Sequence, residues 1–571
     1  MNRSGRASRT FAVVPALALV VLASGCGSSS PGASSSPSTG SSNKVAAVHL
    51  NKGSAGTLRW WNNYGDTWVK SFDPPLVTDS VSIGNVNLIY ANLVKTNYPN
   101  LKPIPDLATW NISKNHKFYT FHLRHNARFS NGDPVTAADA LWSINRALAP
   151  STKSTVATTY LGAIHGAMAV NKGKARSVSG IRVLNRYTLQ IRLDQPIAYF
   201  LGALSYPTAD VLDKRVMQGK PAASYLTNRC MGNVGAGPFK LSCQNSGFGK
   251  SSFYPGGHSP YVKYVPNPYY YGKKARINII APFFGKVDDE YRDYEAGGLD
   301  GTNVPPSDIP QAQSKPGYTN VPGLITDYIT PNEKVAPFNN LHCRLAVAYA
   351  IDRDNITRKL LRGFEGPLYD VLPPGLPGYF GRQSTLPYYD PARATKELSQ
   401  CPGGLHNIAL TFQNTSTDTA HEYDAVRANL ASIGATITLK PLTFNAWLGI
   451  VTVPLTTTKT AITENLWLDD YPDPQDWMSN LLQTGAAYDI GGFSDPTFDN
   501  LVNKGNVEFN PGARARDYAQ ASRIALSQGA WIGVGFQDNI YIFNPRVHGM
   551  INTGSLSQPR YNDWSNVTVS G

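Results

Sequence analysis

The stretch from Pro105 to Leu148 reads PDLATWNISKNHKFYTFHLRHNARFSNGDPVTAADALWSINRAL. Its middle part, residues 118–123, alternates in the period of a β-strand. At Thr136 a hydroxyl stands three residues before the Asp139 carboxylate, which is the pattern of a helix capping box. The apolar residues that follow fall on one helical face: Ala137, Leu141, Ile144 and Leu148. The stretch therefore predicts a strand and then an amphipathic helix.

A second pair of strands is predicted after this helix. Residues 181–184 (IRVL) and 188–193 (TLQIRL) both alternate with the strand period. A turn through Asn185 and Arg186 would join them as a hairpin.

Further helices are predicted in the second half of the chain. Asp390 and Asp495 each precede a proline, and a proline tolerates the first helical position because its missing N–H has no partner there. A helical run is also predicted from Arg344 to Leu361. A chain of 571 residues is too long for one hydrophobic core, so we expect two or more domains of an α/β or α+β build.

The composition indicates a folded, aromatic-rich protein, with 42% hydrophobic and 16% charged residues. The formal net charge of +13 falls to +10 without Arg3, Arg6 and Arg9, and the remaining basic residues are scattered. No basic block of the kind that binds nucleic acid is present, so no nucleic-acid partner is predicted.

The N-terminus has the features of a secretory signal. Three arginines precede the apolar run Phe11–Ala23, and Cys26 follows the small residues Ser24 and Gly25. This arrangement resembles a bacterial lipobox, which implies a signal peptide over residues 1–25 and a lipid anchor on Cys26. An ordinary signal peptide with a chance cysteine is the alternative. Residues 26–43 are rich in Ser, Gly and Pro and are predicted to be a flexible tether.

Four other cysteines are present: Cys230, Cys243, Cys343 and Cys401. An even number in an oxidising compartment indicates two disulfides, with three possible connectivities. Nearness in sequence favours Cys230 with Cys243 and Cys343 with Cys401. No Cys-x-x-Cys spacing occurs, and neither a metal site nor a cofactor is predicted.

The most distinctive functional candidate is the segment 466–478, LWLDDYPDPQDWM, which we call the acidic box. Its four carboxylates suit a metal cage, a catalytic acid/base pair, one arm of a cleft for a cationic ligand, or a solvated loop. Two prolines and the lack of a glycine disfavour a calcium loop. A phosphate-binding loop ending at Lys250 is excluded by Gln244, which stands where a glycine is required. Neither an H-E-x-x-H helix nor a G-x-S-x-G elbow occurs in the folded body.

Several segments match one family's signature in order, across about residues 57–560. They are Leu107–Ala108, Trp110, Tyr119–Arg124, Phe129–Gly132, Thr136–Asp139, Gly235–Phe239, Asn267–Tyr270, Gly298–Asp300, Arg344–Arg353 and Asp470–Pro474. In these segments the chain resembles the family 5 extracellular solute-binding proteins, the dipeptide/oligopeptide-binding lipoproteins of ABC importers. Trp110 stands one residue early, and Asn131 replaces the usual aspartate.

The resemblance implies an α/β fold of the class II periplasmic-binding-protein type, with two lobes. Lobe one would comprise residues 44–325 and 538–571, with 94–214 as an extra peripheral subdomain. Lobe two would comprise residues 326–537. Two hinge crossings would lie near Asp327-Tyr328 and Gly535-Phe536.

The resemblance also separates the acids of the acidic box. Asp470 would pair with the α-ammonium of a bound peptide, and Trp467 would line the cleft. Asp469 and Asp473 would be structural, capping or solvated, and Asp476 would start the following helix. The other candidate ligand contacts are Thr78 and Ser80 beside the ligand backbone, and Tyr328 and Phe536 near the hinge, where core packing is the alternative.

The implied function is that of a monomeric, lipid-anchored, non-catalytic binding protein. It would capture short peptides on the outer face of the cytoplasmic membrane and deliver them to ABC permease subunits. The same fold could instead bind an oligosaccharide or a metal chelate. A more distant alternative is an extracellular hydrolase that uses Asp470 with another acid.

Overall fold

The computed structural model describes residues 55–60, 69–97, 100–220, 234–242, 261–282, 284, 286–550 and 563–571. All of them belong to one compact unit, Ala46–Gly571. The predicted signal peptide, the tether and Cys26 lie outside the described residues, and so do Cys230 and Cys243.

The strands of the described part are interspersed with helices along the chain, singly or in runs of two to four. They are β1 (Thr57–Arg59), β2 (Val94–Asn97), β3 (Lys102–Pro105), β4 (Ala108–Ile112), β5 (Phe118–Leu123), β6 (Ile181–Asn185), β7 (Thr188–Arg192), β8 (Phe239–Leu241), β9 (Tyr261–Pro266), β10 (Asn278–Pro282), β11 (Gly301–Asn303), β12 (Tyr318–Pro331), β13 (Glu365–Pro367), β14 (Ile408–Gln413), β15 (Ile437–Leu442), β16 (Ile462–Leu468), β17 (Ile532–Phe543), β18 (Val547–His548) and β19 (Thr568–Val569).

The α-helices of the described part vary from one turn to almost five turns. They are α1 (Ser80–Ile89), α2 (Ala137–Leu148), α3 (Ala157–Leu161), α4 (Ala167–Asn171), α5 (Phe200–Ala203), α6 (Lys214–Met217), α7 (Val287–Glu295), α8 (Ile309–Ala312), α9 (Leu341–Ala350), α10 (Pro391–Ser399), α11 (Thr417–Ser432), α12 (Phe444–Val451), α13 (Leu455–Thr458), α14 (Pro474–Trp477), α15 (Pro496–Val507) and α16 (Pro511–Ser527). Short 3₁₀ turns lie at Pro74–Leu76, Pro150–Thr152, Pro207–Ala209 and Pro306–Asp308, and π-helical turns at Asn355–Leu360 and Met478–Leu482. None of the helices in the described part has both the length and the apolar character needed to cross a bilayer.

The strands form three larger sheets and two small ribbons. One four-stranded sheet has the order β1-β10-β9-β8, and another has the order β4-β5-β7-β6. The seven-stranded sheet has the order β11-β17-β12-β16-β14-β15, with β13 also paired to β17. The largest hydrophobic core is drawn mainly from residues 58–281, and two further cores come from residues 324–534. Strands mixed with helices throughout confirm the predicted mixed character of the fold.

The local predictions for the first half of the chain are confirmed. Residues 118–123 form β5, and the predicted hairpin is the antiparallel pair β6 and β7. Thr136 Oγ1 accepts a hydrogen bond from the Asp139 N–H at 3.4 Å, and Asp139 Oδ2 accepts one from the Thr136 N–H at 2.9 Å. The capping box therefore starts α2 at the predicted residue.

Two predicted helix starts in the second half are also confirmed. Asp390 Oδ1 accepts a hydrogen bond from the Arg393 N–H, and Asp495 Oδ1 accepts one from the Phe498 N–H, each at 2.9 Å. Both acids satisfy N–H groups that have no partner inside the helix.

The prediction of one continuous helix from Arg344 to Leu361 is wrong. Helix α9 ends at Ala350, and a separate π-helical turn begins at Asn355. The buried Arg353 side chain donates hydrogen bonds to the carbonyls of Ala348 and Ile351, at 3.2 and 3.3 Å. These bonds satisfy carbonyls that the end of a helix leaves free, so Arg353 stabilises the break.

The longest strands, β12 and β17, pair antiparallel at the middle of the seven-stranded sheet. In their register Asp327 faces Gly535, so the two predicted hinge crossings are neighbouring points on paired strands. On its other side β12 pairs with β16, where Asp327 faces Leu466 and Thr326 faces Trp467. The acidic box therefore starts at the end of a central strand. The lobe boundaries themselves remain a prediction.

The predicted disulfide between Cys343 and Cys401 is confirmed. Their Cα atoms are 4.8 Å apart, and the bridge closes a loop of 58 residues between α9 and the end of α10. Both half-cystines are buried in the same hydrophobic core.

Replacing both cysteines (Cys343→Ala with Cys401→Ala) is expected to lower the free energy of unfolding. A closed loop of this length constrains the unfolded chain by about 4 kcal/mol, and we expect a loss of roughly 2–4 kcal/mol. Urea unfolding followed by tryptophan fluorescence measures it. A loss below about 0.5 kcal/mol would contradict the stabilising role of the bridge.

Candidate ligand-binding cleft

The acidic box lines a cleft that is partly open to solvent and has a volume of about 810 Å³ when the open space is included. Its walls come from residues 78–83, from Tyr206, from α12 and from the end of β16. Four of the predicted ligand contacts lie together in it: Thr78, Ser80, Trp467 and Asp470. These residues are separated by almost 400 positions in the sequence.

The wall formed by Thr78 and Ser80 is fixed by the start of α1. Asp79, between them, is the N-cap residue of this helix, and its Oδ1 accepts a hydrogen bond from the Ser82 N–H at 2.8 Å. The Asp79 side chain is buried, and burial raises its pKa above the ordinary value. The cap holds the backbone at Thr78 and Ser80 against the cleft.

Asp470 lies two residues after β16 with only 9% of its surface exposed. The Tyr160 hydroxyl donates a hydrogen bond to Asp470 Oδ2. Burial raises the pKa of Asp470 to about 7, and the hydrogen bond from Tyr160 offsets only part of this effect. The carboxyl group therefore loses its proton near pH 7. A nearby cation would favour its ionised form.

Asp476 holds Asp470 and Trp467 in position. Its Oδ2 accepts hydrogen bonds from the Asp470 backbone N–H at 2.9 Å and from Trp467 Nε1 at 3.1 Å. Its Oδ1 accepts a hydrogen bond from Asn480 Nδ2 at 2.9 Å. Burial, and secondly the charge of Asp470, raise the pKa of Asp476 well above its ordinary value. The Asp476 carboxyl group, six residues from Asp470 and nine from Trp467 in sequence, thus orients both cleft residues.

The expectation that Asp476 starts the next helix is wrong, because Asp473 is the N-cap residue of α14. Asp473 Oδ1 accepts a hydrogen bond from the Gln475 N–H at 2.9 Å. Both oxygens of Asp473 also accept hydrogen bonds from the Arg514 guanidinium, each at 2.7 Å. Asp473 is therefore structural, as predicted. Asp469 is buried, with 2% exposed.

Tyrosines surround the Asp470 carboxyl group. Tyr160 and Tyr206 stack with their ring centres 3.8 Å apart, and Tyr488 meets Trp467 edge to face at 5.1 Å. Burial raises the pKa of Tyr160 and Tyr206 well above the ordinary value, so both stay neutral. No motif in the sequence distinguishes these three tyrosines from the other 27. Only the fold brings them to the cleft.

Tyr328 and Phe536 do not line this cleft. Tyr328 is 3% exposed and stacks on Trp531, with ring centres 3.4 Å apart. Phe536 lies against Gly366, where the absence of a side chain leaves room for its ring. Both positions are those of core packing, and a ligand contact for either residue remains a prediction.

Comparison with protein-family models gives a match over residues 102–489, about two thirds of the chain. The matching family is described as bacterial extracellular solute-binding proteins, family 5 middle. The dipeptide-binding protein DppE of Bacillus subtilis is 26% identical over 500 residues, which cover 84% of this chain and 87% of that protein. A dipeptide-binding protein of Lactococcus lactis is 27% identical over 511 residues, covering 85% and 90%.

Solved structures confirm the fold class. The murein tripeptide binding protein MppA of Escherichia coli superposes with a TM-score of 0.77 at 21% identity. The alignment covers 90% of this chain and 98% of MppA. At this level of identity the similarity establishes the fold and leaves the ligand open.

Asp470 and Asp473 are expected to have opposite effects on stability when each is changed to asparagine. The pKa of Asp470 is about 7 in the folded protein and ~3.9 in an unfolded chain. The folded state therefore binds more protons, and stability falls as the pH rises from about 4 to about 7. Asp470→Asn removes this loss, and we expect it to stabilise the empty protein by on the order of 2 kcal/mol at pH 8.

Asp473→Asn breaks the ion pair with Arg514 and should cost on the order of 1–3 kcal/mol at the same pH. Urea unfolding of both variants and the wild type at pH 5 and pH 8 measures these differences. A loss of stability in Asp470→Asn at pH 8 would contradict the unfavourable burial of that carboxylate.

Proposed function

Because the chain belongs to family 5 of the bacterial extracellular solute-binding proteins, we propose that it captures short peptides for an ABC importer. It binds them outside the cytoplasmic membrane and delivers them to the permease subunits. The observation that carries this proposal is the buried Asp470 carboxyl group at the wall of the cleft. The names of the dipeptide-binding relatives support the same ligand class.

The α-ammonium of the peptide binds at Asp470. A hydrogen bond between an ammonium and a carboxylate contributes on the order of 1.5–3 kcal/mol, because both partners are charged. The ammonium favours the ionised form of Asp470 and lowers its pKa from the value of about 7 in the empty cleft. Tyr160 and Asp476 keep the carboxylate oriented, so little reorganisation accompanies binding.

The rest of the peptide lies extended between Thr78-Ser80 and the residues that follow β16. Its amides bond to the protein backbone as an added strand would, which gives affinity without reading side chains. The aromatic and aliphatic side chains of α12, Phe444, Trp447 and Leu448, form an apolar wall for the ligand side chains. This combination supports a broad range of peptide sequences.

Closure of two lobes encloses the bound peptide. The two proposed crossings would lie next to each other on the paired strands β12 and β17, where few backbone dihedrals need to change. A lipid on Cys26 and the tether 26–43 keep the protein at the outer face of the membrane. It works as a monomer without a cofactor, and ATP hydrolysis belongs to the partner chains.

An oligosaccharide or a metal chelate is the alternative ligand class within the same fold. A sugar offers no cation for Asp470, so its binding would depend on the aromatic walls and would tolerate Asp470→Asn. A hydrolase is the more distant alternative, and it requires turnover of a peptide or glycoside by the purified protein.

Native mass spectrometry of the protein as purified tests the proposal, because a closed cleft retains its ligand. We expect a series of added masses that fragment as short peptides. Asp470→Asn should lose them, and Asp424→Asn, which changes an exposed acid paired with Arg427, should keep them. A single added mass of a sugar or a metal chelate would overturn the proposal.

A further inference from the structure

A second cavity, of about 840 Å³ including space open to solvent, is lined by the middle of β12 and β17, by β13, and by the ends of β14 and β16. Its lining includes the carboxyl groups of Asp327, Glu365 and Glu422, and we call it the acidic pocket. Asp418 and Asp538 add two further acids to its wall. The residues described as lining it include no lysine, arginine or histidine.

Three acids converge at one corner of the acidic pocket. One carboxylate oxygen from each of Asp327, Glu365 and Glu422 lies within 4.8 Å of the others, and all three residues are buried, with 2–3% exposed. Glu464 lies nearby and is fully buried. Like charges this close cannot all ionise without a cation. Burial raises the pKa of Glu365 to about 7, and burial together with Glu365 and Glu464 raises that of Asp327 well above its ordinary value.

Several oxygens around this corner have no hydrogen-bond partner in the described part of the chain. They are Glu365 Oε2, Glu422 Oε1 and Gln413 Oε1. Two other oxygens of the corner have partners: Asp327 Oδ1 accepts a hydrogen bond from the Tyr423 hydroxyl at 3.0 Å, and Glu365 Oε1 accepts one from Gln537 Nε2 at 2.8 Å. A buried oxygen without a partner is unfavourable, so hydrogen-bond donors from a ligand would stabilise this corner.

We propose that the acidic pocket binds the side chain of a lysine or arginine residue in the transported peptide. This inference rests on the proposed function and adds a ligand preference to it. The cationic head would donate hydrogen bonds to the unpartnered oxygens of Glu365 and Glu422. Its aliphatic stem would lie along the apolar part of the wall, formed by Ile325, Leu361, Phe364 and Leu466.

The walls of the pocket favour a basic side chain over a metal ion. A metal ion needs only the oxygen ligands at one corner, whereas this cavity extends beyond the corner along apolar residues. A long aliphatic chain with a charged end fits both parts of the cavity at once.

The acidic pocket and the ligand cleft are neighbours through Leu466, which lines both. Asp327 faces Leu466 in the register of β12 and β16, and Asp470 follows Leu466 by four residues. Four residues of chain span at most on the order of 13 Å. A peptide anchored at Asp470 would therefore bring a residue near its third to fifth position to the acidic corner.

Calorimetry with matched peptides tests the preference. The probes are pentaalanine and its derivatives with one lysine, or one norleucine, at each of positions 2 to 5. Norleucine keeps the aliphatic stem and removes the charge. We expect the lysine peptide to bind at least tenfold more tightly than its norleucine twin at one position. Glu422→Gln should reduce this ratio to below threefold, and Glu295→Gln, an exposed control, should preserve it.

Equal binding of the lysine and norleucine twins at every position would overturn the inference, and the proposed function would stand if pentaalanine still binds. Failure of every peptide to bind would overturn both. If Ca²⁺ raises the Tm of the peptide-free wild type and not that of Glu422→Gln, the pocket is a metal site and the inference is wrong. Glu365→Gln replaces Glu422→Gln if the latter does not fold.

Discussion

The burial of the Asp470 carboxyl group is the constraint on which the cleft depends. Asp470 lies two residues after the end of β16, a strand of the seven-stranded sheet. The Tyr160 hydroxyl donates a hydrogen bond to its side chain, and the Asp476 side chain accepts one from its backbone N–H. Water is largely excluded, so the ionised form is costly in the empty protein. Under the proposed function, a cationic group would favour the ionised form of Asp470, so the burial that weakens the empty fold would also provide affinity for a cation.

The sheet brings the ligand cleft and the acidic pocket next to each other. Strand β16 carries Leu466, which lines both cavities, and its neighbour β12 carries Asp327. Both cavities hold buried acids with raised pKa values. Because a ligand that binds only the folded protein stabilises it, occupancy of these cavities and stability of the fold are thermodynamically linked.

Much of the local structure could be predicted from the sequence. The capping box at Thr136, the hairpin of β6 and β7 and the caps at Asp390 and Asp495 are encoded within a few residues, and all are observed. The break in the helix after Ala350 could not be predicted from periodicity. It depends on Arg353, whose guanidinium also bonds to the Gly533 carbonyl, 180 residues away.

The sequence predicts only those residues of the candidate site that lie together in one short segment. The acidic box was visible as a cluster, and the resemblance to a family distinguished Asp470 from its neighbours. Tyr160, Tyr206 and Tyr488 carry no local signal because the fold alone brings them to Asp470. The acidic pocket is assembled from residues 327, 365 and 422 in the same way, and none of them belongs to a sequence cluster.

The most direct measurement is the affinity of trialanine compared with its N-acetylated form, by calorimetry at pH 7.5. If Asp470 binds the α-ammonium, acetylation should weaken binding to the wild type by roughly 10- to 150-fold, which corresponds to 1.5–3 kcal/mol. In Asp470→Asn the two peptides should bind with nearly equal affinity. Equal binding of both peptides to the wild-type protein would contradict the role of Asp470 as the ligand anchor.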